Sequence, residues 1–184
     1  MFDDLRNRLR SQRPARLAAA SGAHPIDGGP APIRYRPLLV AQVPAEGHRL
    51  RTAMRGVLTA LGRRDEDALV AGLLAFAGAF RGIGLARNVQ FYPYLAWALH
   101  GTPAARTMFE AVHADAQRCL GGIEAILATY LTAPWGRDRR RRLAPDLVHV
   151  ARLLGQWLRI DEEVLLPLYL PPGQYRTIGP APPR

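Results

Sequence analysis

Two stretches of the chain repeat one spacing of residues. In each, a charged residue stands six positions before a proline, and a large apolar residue stands four positions before the charged one. The two sets are Ile83, Arg87 and Pro93, and Trp157, Asp161 and Pro167. Residues four apart share one face of a helix, and this is the spacing with which a His-x-x-x-Glu helix presents two metal ligands. The pattern therefore indicates a metal-binding arrangement whose histidines are missing.

Four amphipathic patterns supply the helices that must position these residues. The first runs over about 45–62 and the second over about 65–99, with Pro93 expected to kink or interrupt it. The third opens with the Thr-Pro pair at 102–103, a strong helix start, and the fourth begins near Pro145. No segment shows the alternation of a strand, so the chain is predicted to be all-α, an antiparallel up-down four-helix bundle.

The sequence outside these patterns divides the chain into three parts. Residues 1–40 are predicted to form an N-terminal extension or strap, because they are rich in proline, glycine and small residues without periodicity. Residues 41–170 form the bundle. Residues 171–184 contain five prolines and are predicted to be a tail.

The composition favours an anionic partner only weakly. Lysine and arginine number 25 against 15 acidic residues, giving a formal net charge of +10, which attracts polyanions or an acidic protein surface. However, a chain rich in alanine, glycine, arginine and proline is typical of a GC-rich bacterial genome, which raises the arginine content without selection for binding. The charge alone therefore identifies no partner.

Cysteine content and hydropathy predict a cytoplasmic protein. Cys119 is the single cysteine, so no internal disulfide forms and a reducing compartment is expected. No run approaches the ~18 uncharged apolar residues of a membrane-spanning helix, and the N-terminal arginines precede no apolar stretch of signal-peptide length. No membrane span is therefore predicted.

With the four helices in place, the segment from about Pro44 to Leu170 resembles the hemerythrin-like family of cation-binding (HHE) domains. The resemblance rests on one stretch in each helix: His48-Arg-Leu-Arg, Phe91-Tyr92-Pro93, Glu110-x-x-His113 and Asp161-Glu-Glu-Val-Leu-Leu-Pro167. It implies a bundle in which histidines and carboxylates from all four helices converge on two irons.

Three of the six ligands that the resemblance implies are replaced. Ile83 and Trp157 stand where histidines are expected, and Arg87 stands where a carboxylate is expected. Isoleucine and tryptophan offer no lone pair to a metal, and an arginine brings positive charge into the cavity that cations would occupy. No cofactor is therefore expected.

The remaining implied ligand positions keep suitable side chains, namely His48, His113 and Asp161. The alternative prediction is a single-metal site built from these three, or one that recruits Glu162 or Glu110. The protein would then be an iron-containing sensor or an oxygen- or iron-handling protein. Against this alternative, His48 lies off the apolar stripe of its helix.

Helical phase suggests what replaces the metals. Arg87 and Asp161 both fall on the apolar faces of their helices and are predicted to form a buried ion pair, because a lone buried charge would cost several kcal/mol. In the other interpretation Arg87 extends to the end of the bundle and Asp161 lies at a hydrated rim.

The connection between the third and fourth helices carries the densest charge. It contains Arg137, Arg139, Arg140, Arg141 and Arg142. Such a run suits phosphates or an acidic groove on another protein. A solvated loop without a partner is the other interpretation.

These observations predict a non-enzymatic bundle that binds another macromolecule. The first candidate for this macromolecule is a protein with an acidic surface. One alternative is the metal-binding protein with an altered ligand set. Another is a basic bundle that binds nucleic acid or the transcription machinery, for which a steep salt dependence is expected. Metal analysis separates the first alternative from the main prediction.

Overall fold

The computed structural model describes residues 33–131 and 136–177, and within them every regular element is helical. The α-helices are α1 (Leu39–Arg63), α2 (Glu66–Ala86), α3 (Tyr92–Ala98), α4 (Pro103–Leu131) and α5 (Arg137–Arg159). Shorter turns are π-helical at Arg87–Phe91 and Ile160–Leu165, and 3-10 at Leu166–Leu168 and Pro172–Thr177. Because α2, the first π turn and α3 form one continuous helix, Glu66–Ala98, the described chain has four long helices. The all-α prediction is confirmed for these residues.

A tight connection joins α1 to α2. Arg64 adopts a left-handed conformation, φ 58°, and its N–H donates to the Leu61 carbonyl, which ends α1. Asp65 then accepts a hydrogen bond from the Ala68 N–H at 3.0 Å and caps α2. The predicted start of the second helix near Asp65 is therefore correct, and α1 folds directly back onto α2.

Contacts between helices show how neighbours are oriented. Arg81 contacts Glu124, and Asn88 accepts a hydrogen bond from Gln117. Residue numbers thus rise along the second helix as they fall along α4, which is the pattern of two helices that run in opposite directions. These contacts bring the end of α2 towards the middle of α4.

Two predicted helix starts are wrong. α1 begins at Leu39 rather than near 45, and α5 begins at Arg137 rather than near Pro145. Pro44 and Pro145 both lie inside their helices at exposed positions, where the carbonyl that lacks its N–H donor can be hydrated. Hence the basic run 137–142 is not a loop but the first turns of α5.

The described residues on either side of the bundle pack onto it. The Tyr35 ring lies 5.6 Å from that of Tyr94 and 5.1 Å from that of Tyr169. Tyr175 accepts a hydrogen bond from the Leu170 N–H at 2.9 Å. Residues near both predicted boundaries therefore contact the core. Residues 1–32 of the predicted strap (1–40) and residues 178–184 of the predicted tail (171–184) lie outside the described residues.

The second helix is apolar on two sides. Its inner face contributes core residues, whereas its outer face exposes Val70, Leu74, Leu85 and Val89 by 42 to 65%. By length and composition alone, Glu66–Ala98 is the one helix in the described part of the chain that is long and apolar enough to cross a membrane. A core helix meets the same criteria, so the absence of a membrane span stays a prediction.

Candidate functional site

The two repeated spacings fold into the same local structure. The Tyr92 N–H donates to the Arg87 carbonyl, and the Leu166 N–H donates to the Asp161 carbonyl, so each hydrogen bond spans five residues instead of four. A proline directly follows the donor residue of each of these hydrogen bonds, and proline donates no hydrogen bond of its own. The π turn interrupts the regular α-helix just before Pro93, as predicted, while the chain stays helical on both sides of it.

Arg87 and Asp161, whose carbonyls accept these two hydrogen bonds, meet inside the bundle. Arg87 Nε donates to Asp161 Oδ2 at 3.2 Å, and the side chains are 1% and 0% exposed. The structure therefore places together the two residues that the sequence predicted as a buried ion pair. Neither residue reaches the bundle end or a hydrated rim.

Arg87 has a second carboxylate beside it, which the sequence analysis missed. Its Nη1 lies 2.7 Å from Glu46 Oε2, although neither atom has a partner in hydrogen-bonding geometry, so this contact is electrostatic. Its Nη2 donates to the Val43 carbonyl at 3.3 Å, and the Phe91 ring lies 5.7 Å from the guanidinium carbon. The sequence signal that could have identified Glu46 is its position three residues after Val43, which places both residues on the same face of α1.

Asp161 is held from its other side by two aromatic residues. The Tyr92 hydroxyl donates to Asp161 Oδ1 at 2.8 Å, and Trp157 Nε1 donates to the Tyr92 hydroxyl at 2.9 Å. The indole at a position of an implied histidine thus connects to the carboxylate through a tyrosine. Such a chain of hydrogen bonds strengthens its members in a low-dielectric interior.

Burial controls the protonation of this cluster. It raises the pKa of Asp161 to about 6, against the opposing effects of the Tyr92 hydrogen bond and the Arg87 charge. Burial, followed by the charge of Asp161, also raises the pKa of the Tyr92 hydroxyl well above its usual value. The cluster therefore favours a neutral phenol and makes the carboxylate easier to protonate than an exposed one.

The other positions implied as ligands belong to different surroundings. Ile83 is 8% exposed and part of the core. The His113 ring stacks on Phe109 at 5.4 Å, lies 4.6 Å from the Tyr92 ring and has a nitrogen 2.9 Å from Gln117 Nε2. Burial lowers the pKa of His113, so the neutral imidazole is favoured.

The structure does not bring the alternative metal ligands together. His48 is exposed on α1, and Glu110 is exposed and lies 2.7 Å from Arg106. Glu162 accepts a hydrogen bond from Arg51 at 2.8 Å. Within 33–131 and 136–177 no three histidine, cysteine, aspartate or glutamate side chains are grouped as metal ligands would be.

The basic run lies on the surface of the first turns of α5. Arg139 is half-buried, whereas four members are exposed: Arg137, Arg140, Arg141 and Arg142. Arg140 Nη1 lies 2.7 Å from Glu66 Oε1 at the start of α2. Cations at the amino end of a helix oppose its macrodipole, so this end concentrates positive potential from both the side chains and the backbone.

Comparison with known proteins adds no family to these observations. No protein-family model matches the chain, and neither a curated protein nor a solved structure matches it. The hemerythrin-like resemblance therefore rests on the residues quoted for it and stays a prediction.

Proposed function

We propose that the protein is a non-enzymatic helical bundle that acts by binding another macromolecule through its outer surface. The supporting observation is that polar groups at the implied ligand positions bond to each other. Arg87 bonds to Asp161, and Trp157 bonds to the Tyr92 hydroxyl that also holds Asp161. The hydrogen-bonding groups of these side chains are therefore directed at one another. They connect the second helix to the fourth.

Metal analysis tests this proposal against its metal-binding alternative. Protein purified from aerobic and anaerobic cultures is expected to contain metal far below one equivalent and to show no iron absorption band. Stoichiometric metal that is lost in the His113→Gln and Asp161→Asn variants would overturn the proposal. The exposed His149→Gln variant serves as the control and should leave any metal content unchanged.

The proposed partner is a protein with an acidic surface. The exposed arginines at the start of α5 and the formal charge of +10 support this choice, because complementary charge speeds association and selects the partner. Capture of partners by the tagged chain in lysate of its own cells, followed by mass spectrometry, identifies candidates. A captured protein then qualifies only if it binds directly when both components are purified.

A matched pair of variants tests the basic surface. Arg141→Glu combined with Arg142→Glu is expected to weaken binding by at least about tenfold, whereas Arg55→Glu combined with Arg159→Glu changes the net charge equally on other exposed surfaces. Equal losses in the two variants would show that only the net charge matters. Calorimetry at two salt concentrations provides the measurement.

Nucleic acid is the second candidate partner, and the helical placement of the basic run favours it. Four exposed arginines that each contact a phosphate would give a slope of log K against log salt of roughly −3.6 for duplex DNA. Fluorescence anisotropy with a random duplex measures this slope. A flat salt response, or an affinity unchanged by Arg141→Glu with Arg142→Glu, would exclude this candidate.

A further inference from the structure

The outer face of the second long helix carries a continuous apolar stripe that runs along α2 into the first π turn. Its exposed members are Ala71, Ala75, Gly78, Gly82, Leu85 and Val89, flanked by Val70 and Leu74. The opposite side of the same helix contributes Leu73, Phe76 and Phe80 to the core. A helix that is apolar all round is normally covered on both sides, and within the described residues only the inner side of α2 is covered.

The stripe has the spacing of a helix-pairing surface. Its six members advance by four, three, four, three and four positions, which is the heptad pattern with which two helices interlock. The nearest charged side chain in the middle of α2, Arg81, turns aside to Glu124, with 2.6 Å between Nη2 and Oε1. The stripe itself is uncharged, so a second stripe of the same composition meets no repulsion on it.

Side-chain size changes along the stripe in a self-complementary order. Ala71 and Ala75 begin it, two glycines occupy its centre, and Leu85 and Val89 end it. If a second stripe runs in the opposite direction, Val89 faces Ala71 and Leu85 faces Ala75, while Gly78 faces Gly82. Glycines at the crossing let two backbones approach closely, and the arrangement has the two-fold symmetry of most dimers. A parallel pairing would place large residues on large ones.

We propose that the occupant of this face is a second copy of the chain, docked α2 against α2 in antiparallel orientation. The stripe from Ala71 to Val89 is about 27 Å long and about 10 Å wide. Two such stripes would bury on the order of 500 Å² in total, well below the roughly 1,200 Å² at which stable interfaces begin, so the dimer forms only at high protein concentration. The proposal is independent of the acidic partner, because the basic run lies on α5.

Sedimentation velocity of the full chain tests the proposal. A shift from monomer to dimer is expected between ~1 and ~500 μM. It should be stronger in high salt, because each copy carries a formal charge of +10 and salt screens their mutual repulsion. A chain that stays monomeric over this range would overturn the proposal, whether a bilayer, residues 1–32 or another protein covers the stripe instead.

Two glycine variants separate docking from folding. A Cβ added at Gly82 or at Gly56 meets no atom within 4 Å, so Gly82→Leu and Gly56→Leu should both fold. Gly82→Leu is expected to weaken dimerisation at least about tenfold, whereas Gly56→Leu on α1 leaves it unchanged. Equal behaviour of the two variants would contradict docking through α2.

Cysteine cross-linking tests the orientation. The Ala75→Cys and Leu85→Cys double variant should form a disulfide-linked dimer under mild oxidation, since these positions face each other only in the antiparallel pairing. Efficient cross-linking of Ala75→Cys alone would show a parallel pairing and overturn the proposed geometry. Flotation with phosphatidylcholine vesicles tests the competing occupant. A protein that stays monomeric and binds the vesicles would show that the stripe contacts a bilayer instead of a second copy.

Discussion

Arg87 and Asp161 occupy equivalent positions in the same kind of turn but have different surroundings. Arg87 has two carboxylates near its guanidinium, Asp161 at 3.2 Å and Glu46 at 2.7 Å. Asp161 has one cation and one hydroxyl, that of Tyr92. An arginine keeps its charge throughout the usual pH range, whereas an aspartate can be neutralised by a proton. A repeated spacing therefore determines the backbone turn, and the neighbouring helices determine the electrostatics.

This difference predicts unequal roles for the two residues. Loss of the guanidinium leaves two negative side chains near each other in the interior, whereas loss of the Asp161 charge leaves Arg87 still paired with Glu46. Burial has raised the pKa of Asp161 to about 6, which means that the folded protein stabilises its charged form less well than an unfolded chain does. The cluster should therefore depend more on Arg87 than on the negative charge of Asp161.

The largest expected effect comes from removal of the cation. Arg87→Met should lower the free energy of unfolding by about 3–5 kcal/mol at neutral pH, because it leaves buried carboxylates without their counter-ion. Asp161→Asn should cost clearly less, since the amide keeps an acceptor for Tyr92. Urea unfolding followed by circular dichroism measures both, with the exposed Arg55→Met as the control. A larger loss for Asp161→Asn would reverse the comparison.

The next effect is a pH dependence specific to Asp161. Its pKa is about 6 in the folded protein and about 3.9 in an unfolded chain, so folding favours proton uptake. The stability contributed by this group is complete below pH ~4 and is lost as the pH rises through ~6, by on the order of 3 kcal/mol. The difference in unfolding free energy between the wild type and Asp161→Asn should fall over this interval. A constant difference would contradict the raised pKa.

A third effect tests the aromatic side of Asp161. Tyr92→Phe leaves both Asp161 Oδ1 and Trp157 Nε1 without the partner described above, and should cost about 1–3 kcal/mol. A double-mutant cycle with Asp161→Asn should show coupling of about 1 kcal/mol, because the hydroxyl donates to a charged acceptor only in the wild type. Tyr130→Phe, whose hydroxyl contacts Asp146 at 2.5 Å at a less buried position, serves as control and should cost less.

Apolar periodicity was enough to predict the helices but not all of their limits. The all-α class and the starts near Asp65 and Pro103 follow from local patterns of apolar residues and capping residues. The start of α5 does not, because its first turns, 137–142, carry no apolar residue that marks an inner face. Pro145 is therefore predicted as the start of the helix. In the structure it lies inside α5 at an exposed position, where a proline is tolerated.

The candidate site was predictable where it depended on helical phase alone. Arg87 and Asp161 fall on inner faces in the sequence pattern, and the structure places them in contact. Glu46 and Tyr92 were missed as members, because the choice of partner depends on the rotation of α1 and on the extra residue in the π turn. Neither quantity is contained in a periodicity of 3.6 residues.

The smallest effect concerns the residue after Asp161. Glu162 reaches α1 only because position 47 is a glycine, since an added Cβ would lie 2.1 Å from Glu162 Oε1. Gly47→Ala should displace this side chain from Arg51, and the resulting loss should be largely offset by the ~0.5–1 kcal/mol that alanine gains in a helix. In a Glu162→Ala background the same substitution should be plainly stabilising. A destabilising Gly47→Ala in that background would mean that α1 packs too closely on the second π turn for any side chain.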